Sequence, residues 1–357
     1  MRMAQSYSSP LLALPGAVPD EATGVALHYG NPLAEQRRMR EHPALIDRSH
    51  RAVVRVGGPD AATFLNNLLS QKLDDVPAGF GGSALDLDMQ GHVLHHVDVI
   101  FNGDAFYFDM PRAQHESFVD YLTRMKFWSD VTIEDTDLAV VTVLGGGSIP
   151  GADMTRAVPF GAWLRIDGLV PRESLHHAAT EFSREIGNVV GLMAFEAARV
   201  RAMEPELGVD LDSKSIPHEV PRFIARGEAP LYPAAVHLNK GCYRGQETVA
   251  RVENLGRSPR LLVMLQLDGS SPSEPQVGAA ITAGPGGRTV GRLGTVVHDA
   301  DEGPIALALV KRSALEGPLE IDGTAAVVDA ASLPTDEGEH AGRRAVEGLR
   351  RGTGPGV

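Results

Sequence analysis

The sequence predicts an α+β protein closed at its C-terminal end by a small β-barrel. Three observations carry this. Strands and amphipathic helices alternate between residues 41 and 256, and tight turns join neighbouring strands as antiparallel pairing requires. After Arg257 only short strands remain.

In residues 41–136, a first α+β lobe, "RAVVRVGG" (51–58) alternates as a strand. "PDAATFLNNLLSQ" (59–71) reads as a helix, with Asp60 near its start and Phe64, Leu65, Leu68 and Leu69 on one side. "SALDLD" and "HVLHHVDVIF" pair around the turn "MQG", and "NGD" (102–104) turns the chain into "AFYFDM". The amphipathic helix "RAQHESFVDYLTRMKFW" (112–128) and the strand "VTIED" complete this lobe. Residues 137–256 form a second α+β lobe. It holds the strand "LAVVTVL", the hairpin-like "WLRIDG", and helices in "PRESLHHAATEFSREIG" and "GLMAFEAARVRAM" (191–203). In residues 257–334, "RLLVMLQLD", "AAITAG", "RTVGRLGTVVHD", "PIALALVK", "LEIDG" and "AAVVDA" are short strands between Gly and Pro turns, the pattern of a small barrel or sandwich. Residues 1–40 lack periodicity and read as an extended N-terminal arm. Residues 335–357, mixed in charge and poor in apolar side chains, read as a disordered tail.

Composition narrows the function. A net charge of −13 argues against nucleic acid or an anionic membrane as partner. No run of about 18 apolar residues is present to span a bilayer, and the apolar stretch Leu11–Leu14 is too short for a signal-peptide core. One cysteine in 357 residues permits no internal disulfide and fits a reducing cytoplasm; it also forbids a four-thiolate zinc or iron–sulfur site within one chain. The phosphate-loop, dinucleotide and nucleophile-elbow motifs are absent.

That cysteine, Cys242, lies in "NKGCYRGQETVAR" (239–251), between Gly241 and the helix-like "GQETVARVEN". A thiol just ahead of a helix N-terminus and beside Lys240 and Arg244 is placed to favour its thiolate. Lys240, Arg244, Arg251, Arg257 and Arg260 also reverse the local sign of charge, which suits an anionic small ligand or an acidic partner. Two readings stand on this chemistry alone: a reactive thiol, or a small buried hydrophobe next to a solvated basic run.

The motif Lys240, Gly241, Cys242, Tyr243, Gly245, Gln246, Glu247 and then Arg251 resembles the signature of the folate-binding YgfZ family, relatives of the glycine-cleavage T-protein. The resemblance extends to "ALIDRSHRAVVRVGGPDAATFLNNLLSQKLDDV", to "RVRAMEPELGVD" and to the closing strands, roughly residues 41–330. It implies a three-lobed, T-protein-like ring with tetrahydrofolate, or a substituted reduced folate, in its central hole. Glu204 would take the paired N–H donors of the pterin. Tyr243 and Arg251 are the further folate-binding residues it implies, Arg251 for the glutamate tail. Cys242 would be a redox- or cluster-responsive group serving iron–sulfur enzymes or assembly proteins.

One departure bears on activity. The aspartate pair that T-proteins carry for aminomethyl transfer is replaced here by His95 and His96, with Asp98 two residues on and usable only in a shifted register. The resemblance therefore points first to an accessory protein for iron–sulfur cluster assembly or repair. The alternative is a folate-dependent aminomethyl or methyl transferase. On a regular strand His92, His96 and Asp98 share a face, but no second ligand set accompanies them and no metal is expected.

Overall fold

The computed structural model describes residues 7–224, 234–271 and 274–334. The tail expected at 335–357, and the first six residues of the expected arm, lie outside these. From Tyr7 onward the arm is folded. It makes a 3-10 turn (Pro10–Ala13), β1 (Ala17–Pro19), β2 (Ala26–Tyr29) and helix α1 (Pro32–Glu41), leading into β3 (Ala44–Asp47). The helix is started locally, by Pro32 in its first turn and by the Asn31 side chain accepting from Ala34 N. What fixes the segment is long-range. Leu11 is buried, and the buried Glu35 carboxylate accepts from Tyr29 N at 2.7 Å and Gly191 N at 2.8 Å.

The first lobe runs through β4 (Ala52–Gly57), α2 (Ala61–Leu68), β5 (Phe80–Leu87), β6 (Val93–Phe101), β7 (Ala105–Met110), α3 (Arg112–Met125) and β8 (Thr132–Asp135). Its sheet has the order β5-β6-β7-β4-β8, antiparallel throughout. One face packs on α2 and α3 through Phe64, Leu65, Phe106, Phe108, Phe118 and Leu122. The second lobe contains β9 (Leu138–Leu144), β10 (Met154–Phe160), β11 (Trp163–Pro171), α4 (Leu175–Glu185), β12 (Asn188–Val190) and α5 (Leu192–Arg201). Its sheet, β10-β11-β9-β3-β12, recruits β3 from sequence expected to serve the first lobe. β3 lies antiparallel to β9 and parallel to β12, an insertion that no local pattern announces.

Helix α6 (Gln246–Leu255) leads to β13 (Arg260–Leu267), β14 (Ala280–Thr282), β15 (Thr289–Asp299), β16 (Gly303–Lys311), β17 (Leu319–Ile321) and β18 (Thr324–Val328), a closed six-stranded barrel. Alternation divides its strands. Leu261, Val263 and Leu265 fill the barrel, whereas Leu262 and Met264 face outward and pack with Phe223, Tyr243 and Val249. The barrel is thereby fused to the lobes.

The two sheets meet over a small apolar patch, Val53, Ile100, Val140 and Leu169, and a buried ion network. Arg156 from β10 reaches across to Asp109 of β7, lies 3.5 Å from Asp98 of β6, and holds Asp167 of β11 at 2.9 Å. Arg51 grips Asp109 at 2.7 Å and Asp98 at 3.2 Å from the other side. Close approach is possible because residue 81 is glycine: a Cβ there would stand 2.4 Å from that of Arg156. Burial opposes ionisation of Asp109 and Asp167, but the facing guanidinium groups outweigh it and hold both carboxyls below the usual carboxylate range. No helix among the described residues is long and apolar enough to cross a membrane.

Removing one member of such a network leaves uncompensated buried charge, so Arg156→Met is expected to lower unfolding stability by about 3–5 kcal/mol. An unchanged urea midpoint would show that the network does not hold the sheets together. Because the folded pKa values of Asp109 and Asp167 lie below their unfolded value of about 3.9, their contribution is complete above that pH and is lost as pH falls through the folded values. Below about pH 4 the urea midpoint should decline through these two carboxylates; a level midpoint from about pH 4 down to about pH 2 would contradict the assignment.

Candidate functional site

A cavity of about 1430 Å³ opens where the lobes, the barrel and the N-terminal segment meet. Its walls come from His96 and Asp98 on β6, Pro111 to Gln114 at the start of α3, and Arg48, His50 and Arg51 between β3 and β4. Leu192, Phe195, Arg199 and Glu204 at α5, Thr295 to His298 of the barrel, and Tyr7 also line it, as do Glu196 and Glu206. A smaller cavity of about 380 Å³ shares His96, Asp98 and Glu204 with it. These three residues form the wall between the chambers.

Glu204 is placed by the end of α5. Met203 takes left-handed backbone at φ 55° and reverses the chain, and Glu204 N donates to Arg199 O at 3.2 Å. Arg199 Nη1 in turn donates to the Glu204 carbonyl at 2.7 Å. The carboxylate accepts from Arg165 Nη1 at 2.6 and 2.7 Å and stands 3.0 Å from Arg222 Nη2. Burial opposes its ionisation, but Arg165 and Arg222 prevail and keep the carboxyl well below the usual range. It is a carboxylate at neutral pH, available to N–H donors. Arg165 meets both oxygens and Arg222 meets Oε2, so of about four lone-pair sites one stays open, on Oε1, and a two-donor ligand would have to displace Arg222.

Strand β6 corrects the expected histidine geometry. A bulge at Leu94, where Asp86 pairs with His95 but Leu87 pairs with Val93, breaks the alternation. His92 therefore does not share a face with His96 and Asp98; it turns back to Asp88, with 2.8 Å between Nδ1 and Oδ2. His95 faces the first-lobe core, between Asp86 Oδ2 and Ser117 Oγ, each at 2.8 Å. His96 and Asp98 alternate onto the cavity wall, so Asp98 reaches the cavity without any shift past His96. Burial pushes the His96 imidazole down, leaving it neutral against Phe223 at 4.7 Å between ring centres. Asp98 is ion-paired with Arg51.

The thiol motif forms as expected, since α6 begins after Gly245 and ends before Gly256. Most of its residues hold the chain in place. Lys240 Nζ donates to the carbonyls of Asn66 (2.5 Å), Leu69 (2.5 Å) and Gln71 (2.9 Å), closing the C-terminal end of α2. Burial pushes that ammonium down to about 8. Arg244 donates to Leu87 O at 2.5 Å and Asp86 Oδ1 at 2.6 Å and lies over the Tyr121 ring. Gly245 has φ 80°, and a Cβ there would meet Asp88 O at 2.6 Å, so only glycine fits. The two cations expected to favour a thiolate are thus turned toward the first lobe. Cys242 is exposed, which removes the buried-hydrophobe reading.

Of the expected site residues, Glu204 alone lines the cavity. Tyr243 is buried beneath Lys240, 5.0 Å from Nζ to ring centre, and burial pushes its phenol up to about 12. Arg251 and Glu247 are exposed on α6, with Gln246 half-buried and Gly241 exposed, and none of them joins Glu204. Sequence reasoning missed Arg165, Arg222, His50 and Gln114. Arg165 and Asp167 had a signal: the alternation in "WLRIDG" places both on one face of a strand whose neighbours are apolar.

No family model matches the chain. The mouse (Mus musculus) iron–sulfur cluster assembly factor IBA57, mitochondrial, is 28% identical over 309 residues, covering 76% of this chain and 78% of its own. The tRNA-modifying protein YgfZ of Cronobacter sakazakii is 21% identical over 286 residues, covering 76% of this chain and 85% of its own. Among solved structures, the glycine cleavage system aminomethyltransferase T of Bartonella henselae superposes with a TM-score of 0.71 at 16% identity, over 89% of this chain and 94% of that one. By sequence the chain is similar to IBA57 and YgfZ, and by structure it carries the aminomethyltransferase T fold, in agreement with the YgfZ-family resemblance seen at residues 240–247.

Proposed function

We propose that this protein is a tetrahydrofolate-binding accessory factor for iron–sulfur cluster assembly or repair, acting in the cytoplasm on iron–sulfur enzymes or their assembly proteins. The observation that carries the reading is the ionised, buried Glu204 on the wall of a ligand-sized cavity at the junction of the lobes. A pterin presents adjacent N–H donors, which a carboxylate accepts more strongly than any neutral group. Cys242 stands outside, exposed on a loop anchored by Lys240 and Arg244, where a partner can reach it. One thiolate does not hold a cluster by itself, so any ligation is shared with the partner. The relatives named as iron–sulfur cluster assembly factors support the assembly role.

A second reading, a folate-dependent one-carbon transferase, draws on Asp98, which puts a carboxylate on the cavity wall beside the neutral His96. Its ion pair with Arg51 compensates that charge and weakens its action on a developing cation. Turnover of an aminomethyl or methyl donor with tetrahydrofolate, abolished by Asp98→Asn, would favour the transferase.

The deciding experiment is calorimetric titration with tetrahydrofolate. Saturable binding is expected, weakened by about 1.5–3 kcal/mol in Glu204→Gln, with thermal unfolding of the unliganded variant as a control because Arg165 and Arg222 lose a partner charge. No binding to the wild type would overturn the folate reading. Cys242 should also react to one thiol per chain with an aromatic disulfide in the folded protein; a thiol titrated only after unfolding would deny it a role toward partners.

A further inference from the structure

Gln114, the third residue of α3, lines the large cavity and is 6% exposed. Its side-chain oxygen accepts from the backbone N–H of His96 at 2.9 Å. A backbone N–H only donates, so this bond decides which end of the amide faces β6. The NH₂ group is left on the other side, buried, and Nε2 has no hydrogen-bond partner among the described residues. Buried donors are rarely left unmade, because water has been given up and nothing has replaced it. His50 lines the same cavity with its Nδ1 likewise unpartnered among the described residues. Burial, then Arg48, Arg51 and Arg112, push its imidazole down to about 3, so it is neutral and its Nδ1 can donate or accept.

We propose that Gln114 is a specificity-determining residue, its Nε2 donating to an acceptor oxygen of the bound folate, with His50 as a second polar contact in the same cavity. This rests on the folate reading and adds to it a residue that Glu204 cannot replace. Glu204 accepts from the ligand's N–H groups, whereas Gln114 recognises an oxygen. A reduced folate has such oxygens at two ends, the pterin ring carbonyl and the glutamate amide and carboxylates. Apolar side chains would leave either oxygen desolvated and unpaired, and a carboxylate at position 114 would repel it.

The test is calorimetry on the full chain with tetrahydrofolate and with tetrahydropteroate, which lacks the glutamate. Gln114→Glu keeps an oxygen for the His96 N–H but turns an acceptor toward the ligand; Gln114→Met removes the donor without adding charge. Each is expected to bind at least about tenfold more weakly, Gln114→Glu more so. If both ligands lose affinity, the contact is to the ring carbonyl; if only tetrahydrofolate does, it is to the glutamate end. Wild-type affinity for both ligands in both variants would overturn the subsite while leaving the folate reading intact, whereas no binding by the wild type would overturn the reading beneath it. Should the variants fail to fold, the ¹⁵N side-chain amide of Gln114 in the wild type, assigned through its own backbone, is expected to shift and to exchange more slowly with solvent on addition of tetrahydrofolate. An unmoved signal in the bound state would show no contact.

Discussion

The architecture depends on a run of charge inside the protein, in which Arg51 and Arg156 share Asp98 and Asp109, Arg156 and Arg165 share Asp167, and Arg165 ends on Glu204. Each of these ions is expensive to remove from water and is tolerated only with its neighbours in place. The run crosses from the first-lobe sheet to the second and finishes at the cavity wall. The same contacts that bring the sheets together therefore also orient the Glu204 carboxylate on the cavity wall. Arg165 also rests on the Phe160 ring, its guanidinium carbon 4.9 Å from the ring centre, so packing and charge fix it jointly.

This gives the thiol motif a different meaning from the one its spelling suggests. A short segment rich in cations next to a cysteine invites a reading in terms of nucleophilicity. In the fold, Lys240 closes a helix end, Arg244 ties the loop to β5, and Gly245 lets the chain pass against the β5–β6 turn. Tyr243 is the apolar plug beneath them. These residues hold Cys242 at a fixed place on the surface, and a fixed, accessible thiol suits an encounter with another protein better than chemistry inside a pocket.

Much of this was legible in the sequence and the rest was not, for identifiable reasons. Helix α6 was readable because Gly245 and Gly256 punctuate it, and the barrel because its strands alternate between turns. Glu204 was reached through resemblance, since nothing local distinguishes it from a surface glutamate at a helix end. The bulge at Leu94 was invisible: one extra residue in the strand takes His92 off the face that His96 and Asp98 share, and no local pattern announces it. The folded N-terminal segment escaped because its order comes from contacts with distant residues, as Glu35 with Gly191 shows. Gln114 lay on the buried face of a helix already explained by amphipathicity, and its unsatisfied amide appears only when β6 is set against it.

The cavity has one more property, which follows from where its walls originate. Tyr7 and Thr295 stand near opposite ends of the described chain, yet both line it, with both lobes between. No part of the protein contains the site in miniature. The chamber is complete only with the barrel and the N-terminal segment both in place. A ligand bound there stabilises the assembled whole and none of its pieces. Occupancy of the chamber would then report on the whole fold at once, since none of its walls is complete without the others.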